Sequence, residues 1–318
     1  MRFVRIAALL ALSLSGTALQ AQPAKLTRIV VPFPPGGGVD VVARALTQRL
    51  APLLSQQIIV ENRPGASGNI GADAVAKSPP DGATLLFSAS TFIVNPVVTA
   101  QKAPFDPIKD FTHISLVAKG PVLFIVHPKY GNTLSEFISR AKTSPQSYNL
   151  ATGGFGSAGH LAAESFKLRT DLKIPVILYK GTAPAFSDLM GGQISGLFDP
   201  LVTSLPLAKG GKVKALALAG PKRTPLAPDI PTMTEAGVPD FEFYTWYGLW
   251  GPASMPKAVA ERLEKAVNEV GTSAEMNAWL ASQGLEFGVL AGKSFLDFGR
   301  REQTAVEDIM KRGNIARQ

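Results

Sequence analysis

Three prolines and three glycines, set between an apolar run and a helical pattern, decide how this chain must begin. In Arg28-Ile-Val-Val-Pro-Phe-Pro-Pro-Gly-Gly-Gly-Val-Asp-Val-Val-Ala-Arg44 the run Ile29 to Val31 reads as a strand. The prolines end it, and Val39, Val42, Ala43, Leu46 and Leu50 recur at helical spacing beyond the glycines. The segment therefore predicts strand, rigid turn and helix, the helix opening on backbone without side chains. Its unpaired N–H groups and dipole favour negative charge, so the turn is either a bare connection or an anion site.

Residues 1–21 have the pattern of an export leader: basic Arg2 and Arg5, apolar Ile6 to Leu14, then small residues through Ala21. The apolar run is too short for a membrane span of about 20 residues. Cleavage is expected after Ala21, with Ala18 as the alternative, placing the mature chain in the periplasm. Cysteine is absent, which excludes disulfides, a lipid-bearing cysteine, thiol catalysis and zinc–thiolate sites. A chain of 318 residues is long enough for two domains. The formal charge is +8, two of it from Arg2 and Arg5, and the basic residues are scattered. That argues against nucleic acid, while a modest positive field suits small anions and ordinary solubility alike.

Strand-like and helix-like stretches alternate along the chain, which predicts an α/β fold with parallel sheets covered on both faces. Two apolar runs between His113 and Val126 are split by Lys119-Gly-Pro121, and Gly220 to Asp229 reads as a linker. These two crossings imply one domain inserted in another: residues 22–120 with 221–318, and residues 121–220. The last helix is expected to open on Ser294-Phe-Leu-Asp297, a variant capping box with Ser294 as the cap.

Thr152-Gly-Gly-Phe-Gly-Ser-Ala-Gly-His160 contains G-x-G-x-x-G at Gly154, Gly156 and Gly159, between a predicted strand and helix. A dinucleotide site also wants an acid ending the next strand, and Lys180 stands there instead. Gly288 to Ser294 falls one residue short of a P-loop. Ser157 and His160 lie close together without the G-x-S-x-G elbow of a hydrolase, and neither H-E-x-x-H nor an acid-rich metal loop occurs. A hydrolase built on Ser157 and His160, or an NAD(P) enzyme, remains the enzymatic alternative to a binding protein. No cofactor or metal is expected.

The remaining candidates cluster at the carboxyl ends of predicted strands, where open α/β sheets bind ligands. They are Phe33 to Asp40, Ser88 to Thr91, Thr152 to His160, Tyr179 to Thr182, and Phe198 to Pro200. Within them Thr91, Thr152, Gly154, His160 and Tyr179 offer hydroxyls, backbone N–H groups and rings. Asp40 either orients the glycine turn or is a solvated acid favoured by the helix dipole. Asp199 either accepts a hydrogen bond from a ligand amine or hydroxyl, or is a turn residue before Pro200.

Taken in order, these pieces resemble the substrate-binding receptors of tripartite tricarboxylate transporters, the Bug receptor family. The resemblance rests on Val31-Pro-Phe-Pro-Pro-Gly-Gly with Asp40 and Ala43-Arg44, Glu61-Asn-Arg-Pro-Gly65 with Gly68 to Gly71, and Pro80-Asp-Gly82. Gly153 to His160, Tyr179 to Pro184, Pro231 to Gly237 and Trp246-Tyr-Gly248 extend it through most of the mature chain. His113 and Val176-Ile-Leu depart from the family pattern. The resemblance implies a two-domain periplasmic binding protein fold, type II-like, with parallel-rich sheets flanked by helices and a cleft that closes on ligand. It implies a non-catalytic monomer whose partners are a small organic anion and membrane permease subunits. The anion would be a carboxylate, dicarboxylate, acidic amino acid or aromatic acid; a two-component sensor is the alternative role. By position, Pro35, Gly36 and Gly37 would hold one carboxylate. Ser90, Ser157 and Thr182 would add hydrogen bonds, and Phe33 and Asp199 would shape the pocket.

Overall fold

The computed structural model describes residues 26–100, 103–312 and 315–317; the expected leader, residues 1–21, lies outside them. The opening segment forms β1 (Leu26–Val31), a turn, and α1 (Gly38–Leu54). Ile29, Val30 and Val31 are buried, as β-branched residues in a sheet covered on both faces should be. The prolines that follow lack the N–H a ladder needs, and Gly36 turns the chain at φ +84°. β2 (Gln57–Asn62) and β3 (Thr84–Ala89) flank β1 in parallel, joined through α2 (Asn69–Ala76). α3 (Ser90–Val98) then leads toward β4 (Phe111–Val126).

β4 joins the two halves of the molecule. Lys119-Gly-Pro121, where the sequence places a crossing between domains, does not end the strand: one 16-residue strand runs through it. Its first part pairs antiparallel with β9 (Tyr244–Pro252) as far as Pro121, and with the short β10 (Glu286–Phe287). From Val122 onward it pairs with β7 (Gly196–Pro200) on one side and β8 (Lys214–Leu218) on the other. Gly-Pro marks where the partners change. A Cβ at Gly120 would sit 2.6 Å from Leu285 and 2.7 Å from the Gly284 carbonyl, so glycine permits the close approach there.

The second lobe adds α4 (Leu134–Thr143), β5 (Leu150–Thr152), α5 (Ala158–Thr170), β6 (Val176–Leu178), α6 (Thr182–Met190) and α7 (Leu201–Lys209). Its strand order is β8-β4-β7-β5-β6. The return crossing comes later than the expected residue 221. Met233 bonds Leu218 beside β8, and Met233, Val238 and Phe241 sink into the second lobe's core. The chain leaves that lobe at Phe243-Tyr244, so the proline-rich stretch after Gly220 is a surface loop of one lobe. The first lobe is completed by α8 (Lys257–Thr272), α9 (Ala274–Ser282) and α10 (Gly292–Arg312).

The sheet is mixed. Among the described residues four ladders are parallel, within the strand–helix–strand units, and five antiparallel ones surround β4 and β9. Both faces are covered. Along β4, Val122, Phe124 and Val126 enter one core with Phe137, Phe166 and Phe241, while Leu123 and Ile125 enter another with Leu189 and Leu205. This is the strand period of two, and each such side chain contributes about 1.5–3 kcal/mol of burial. α10 begins at Gly292, before the expected start. Ser294 lies inside it, and its Oγ accepts from the Ala291 N–H at 3.1 Å, the backward-reaching half of a capping box rather than the cap.

Candidate functional site

A cavity of about 70 Å³ lies where β1 and β3 of the first lobe face β5 and β7 of the second. One wall is the opening turn. Gly37 caps α1 without a side-chain hydrogen bond, and Gly37, Gly38 and Val39 line the cavity. The first N–H groups of a helix have no partner one turn back, so this wall presents donors. Asp40 holds the turn from behind. Its carboxylate accepts from the Gly36 N–H at 3.0 Å, from Arg44 at 3.0 and 2.9 Å, and from Asn62 at 3.0 Å. Burial alone would raise its pKa; the bonds from Arg44, Gly36 and Asn62 outweigh it and keep the carboxyl below its usual value. Asn62 also donates to the Phe33 carbonyl.

The opposing wall is the second glycine turn. Ser157 caps α5, accepting from the His160 N–H at 3.1 Å and bonding the Thr152 hydroxyl at 2.9 Å. A Cβ on Gly154 would meet open space, whereas one on Gly159 would stand 2.2 Å from the Phe198 carbonyl. The His160 ring accepts the Gly156 N–H through Nδ1 at 3.2 Å. Burial pushes its pKa down to about 4, so the ring is neutral at pH 7. Its Nδ1 serves the turn, and Ser157 is bound by the His160 backbone rather than the imidazole.

The two lobes touch at the mouth. Gly181 (φ +109°) faces Pro34 so closely that a Cβ there would lie 2.9 Å from the proline Cδ, and one on Gly37 would lie 3.6 Å from the Thr182 hydroxyl. Ser90 and Thr91, opening α3, line a third side.

Asp199 ends β7 and is wholly buried. Its Oδ2 accepts the Thr203 hydroxyl, and its Oδ1 has no hydrogen-bond partner. Burial pushes its pKa up to about 7, against the pull of the Thr203 and Thr182 hydroxyls, the latter acting from outside hydrogen-bond geometry. Beside it on β9, buried Tyr247 also has an unpartnered hydroxyl, its pKa raised by burial and by the charge of Asp199. A Cβ on Gly38 would come within 2.6 Å of that hydroxyl, so glycine is required where α1 crosses Tyr247.

Of the expected site residues, Phe33, Gly37, Ser90 and Thr91 line the cavity from the first lobe, and Gly154, Ser157, Thr182 and Asp199 from the second. Six stand back from it. Pro35 and Gly36 shape the turn, Asp40 fastens it, and Thr152 and His160 brace the second turn. Tyr179 donates to Asp188 at 2.5 Å. Pro34, Gly38 and Gly181, inside the stretches the sequence singled out, also line the cavity, whereas Ala183, Thr245 and Tyr247 line it from outside those stretches. Alternation along β9 would have placed Thr245 and Tyr247 on one face, but not the face that meets the cleft. No lysine, arginine, histidine or glutamate lines the cavity, and no cluster of metal-ligating side chains occurs among the described residues.

Two α/β lobes joined by crossing strands, with a ligand-sized cavity between facing glycine turns, define a periplasmic solute-binding protein. The chain matches the tripartite tricarboxylate transporter family receptor over residues 42–314 and belongs to that family. BugT of Bordetella pertussis is 35% identical over 264 residues, which span 82% of this chain and 81% of BugT. An R. palustris protein solved with adipate aligns at a TM-score of 0.89 and 31% identity, covering 93% of this chain and 99% of that one. MatC from Rhodopseudomonas palustris, with bound malate, aligns at 0.84 and 32% identity, covering 90% and 99%.

Proposed function

We propose that this receptor is exported, captures a small organic carboxylate between its lobes, and hands it to membrane permease subunits without catalysing a reaction. The observation that carries the reading is the pair of glycine turns, one from each lobe, that offer backbone N–H groups and hydroxyls across one cavity. Each turn is braced from behind, by Asp40 in one case and by Thr152 and His160 in the other. Donor groups held in place bind an anion without the entropy loss of ordering long cationic side chains. At about 10–15 Å³ for each water, the cavity has room for roughly five to seven waters, the bulk of an acid of a few carbons. The adipate and malate of the two R. palustris structures are acids of that kind.

Closure is a hinge motion about β4 at Pro121-Val122 and about the Phe243-Tyr244 crossing, with Pro34 meeting Gly181 at the mouth. Ligand favours the closed form because only there do both turns reach it. The test is thermal denaturation of the mature protein against a library of mono-, di- and tricarboxylates, acidic amino acids and aromatic acids. A ligand at 100 times its Kd stabilises by about 2.7 kcal/mol, a shift of several degrees. No shift with any member of the library would refute the reading.

A further inference from the structure

Anion capture alone leaves Asp199 unaccounted for. The cavity lining holds this one acid and no cationic side chain to offset it. One carboxylate oxygen takes the Thr203 hydroxyl; the other, Oδ1, is buried and unpartnered. The elements packed against Asp199 supply no positive charge. β4 faces it with Leu123, α7 with Thr203 and Ser204, and α6 with Thr182. α5 contributes His160, neutral and bonded to Gly156, and β9 contributes Tyr247, whose burial holds the phenol protonated. An ionised Asp199 and an incoming carboxylate would therefore place two like charges in one enclosed, low-dielectric space. A single proton removes the conflict.

Resting on the carboxylate reading above, we propose that the site takes its organic anion together with one proton, held on Oδ1 of Asp199. Burial already brings this carboxyl close to neutrality without ligand, at about 7, and a neighbouring anion raises it further. The neutral acid also turns an unpartnered acceptor into an O–H donor, which suits a cavity built to surround oxygen anions. By linkage, affinity for a fully ionised acid falls by roughly 25-fold between pH 6.5 and 8.5, and binding at the higher pH draws about one proton from the buffer.

The experiment is calorimetric titration of the full mature chain with succinate, malate, glutarate and adipate over that pH range, in paired buffers of different ionisation enthalpy. The expected result is a buffer-dependent heat that grows with pH alongside the loss of affinity. In Asp199→Asn, which carries no titrating proton, affinity is expected to stay flat across the range with no buffer-dependent heat. Binding of any of these acids with constant affinity and buffer-independent heat overturns the proton proposal and leaves carboxylate capture standing. Persistence of the wild-type pH profile in Asp199→Asn also overturns it, by assigning the proton elsewhere. If neither these four acids nor any other member of the carboxylate library binds at any pH, the carboxylate reading falls and takes the proton with it.

Discussion

Replacing Asp199 by asparagine tests the buried carboxyl without any ligand. In the folded chain its pKa is pushed up to about 7 from an ordinary 3.8, because the charged form has lost its water and gained only hydroxyl partners. The folded state therefore holds a proton between those values that the unfolded state has released. Stability from this group is complete below about pH 4 and is lost as pH rises toward 7. The difference of roughly three units corresponds to about 4 kcal/mol at most. His160 and His113 work in the opposite sense over nearly the same window. Both are buried with pKa values lowered to about 4, so their contribution is present above pH 6.5 and is lost as pH falls toward 4. The wild-type profile sums these opposed slopes, and only the difference between variant and parent isolates Asp199. Asparagine keeps the shape and the neutral state. Thermal denaturation at pH 4.5, 5.5, 6.5 and 7.5 spans about 3 kcal/mol of that loss, so Asp199→Asn is expected to gain on the parent by about 6 °C across the series, at about 2 °C per kcal/mol for a chain this long. A Tm difference that is the same at pH 4.5 and 7.5 would refute the claim that this carboxyl is held near neutrality by burial.

The mouth contact is tested by Gly181→Ala. The left-handed φ and the approach to Pro34 predict a loss of about 1–2 kcal/mol in stability and a weaker thermal shift with ligand, read by denaturation with and without a carboxylate that binds the parent. Asp40→Ala leaves the Gly36 N–H without its acceptor and takes one acceptor from Asn62 and from half-exposed Arg44, for an expected loss of about 1–3 kcal/mol by urea denaturation. Because the folded pKa of Asp40 is depressed, that loss should be full above about pH 4 and fade as pH falls further. Ser157→Ala removes the α5 cap and the Thr152 bond, costing about 1 kcal/mol; in the same calorimetric titration it should also weaken binding.

Much of this fold can be read from local signals, and the failures have local causes. The opening turn and the second glycine turn were legible because proline, glycine and helical spacing fall within a few residues of each other. The same punctuation misled at Gly120-Pro121. There glycine serves the approach of Leu285, and the missing proline N–H falls where β4 changes partners, so neither residue ends the strand. Pro96 and Pro206 obscured α3 and α7, two short helices whose buried side chains hold them despite a lost hydrogen bond. The stretch from Gly220 to Asp229 reads as a linker by composition. What keeps this region in the second lobe is Met233, Val238 and Phe241 packing against residues far away in sequence.

The site divides in the same way. Its donors come from turns whose chemistry is written in consecutive residues, and those turns were legible. Its floor is not written that way. In sequence Asp199 is a candidate only as the acid at a strand's carboxyl end, with a turn residue before Pro200 as the other reading, and Tyr247 is one aromatic among several in an apolar strand. They become neighbours only because the chain crosses twice, carrying β9 beneath α1 and against the end of β7. The unpartnered atoms that result are a property of that crossing. A glycine at position 38 records it in sequence, since a side chain there would strike the Tyr247 hydroxyl. For a receptor of this construction, then, the turns show that an anion is held. The residues that meet at the hinge decide what must accompany it.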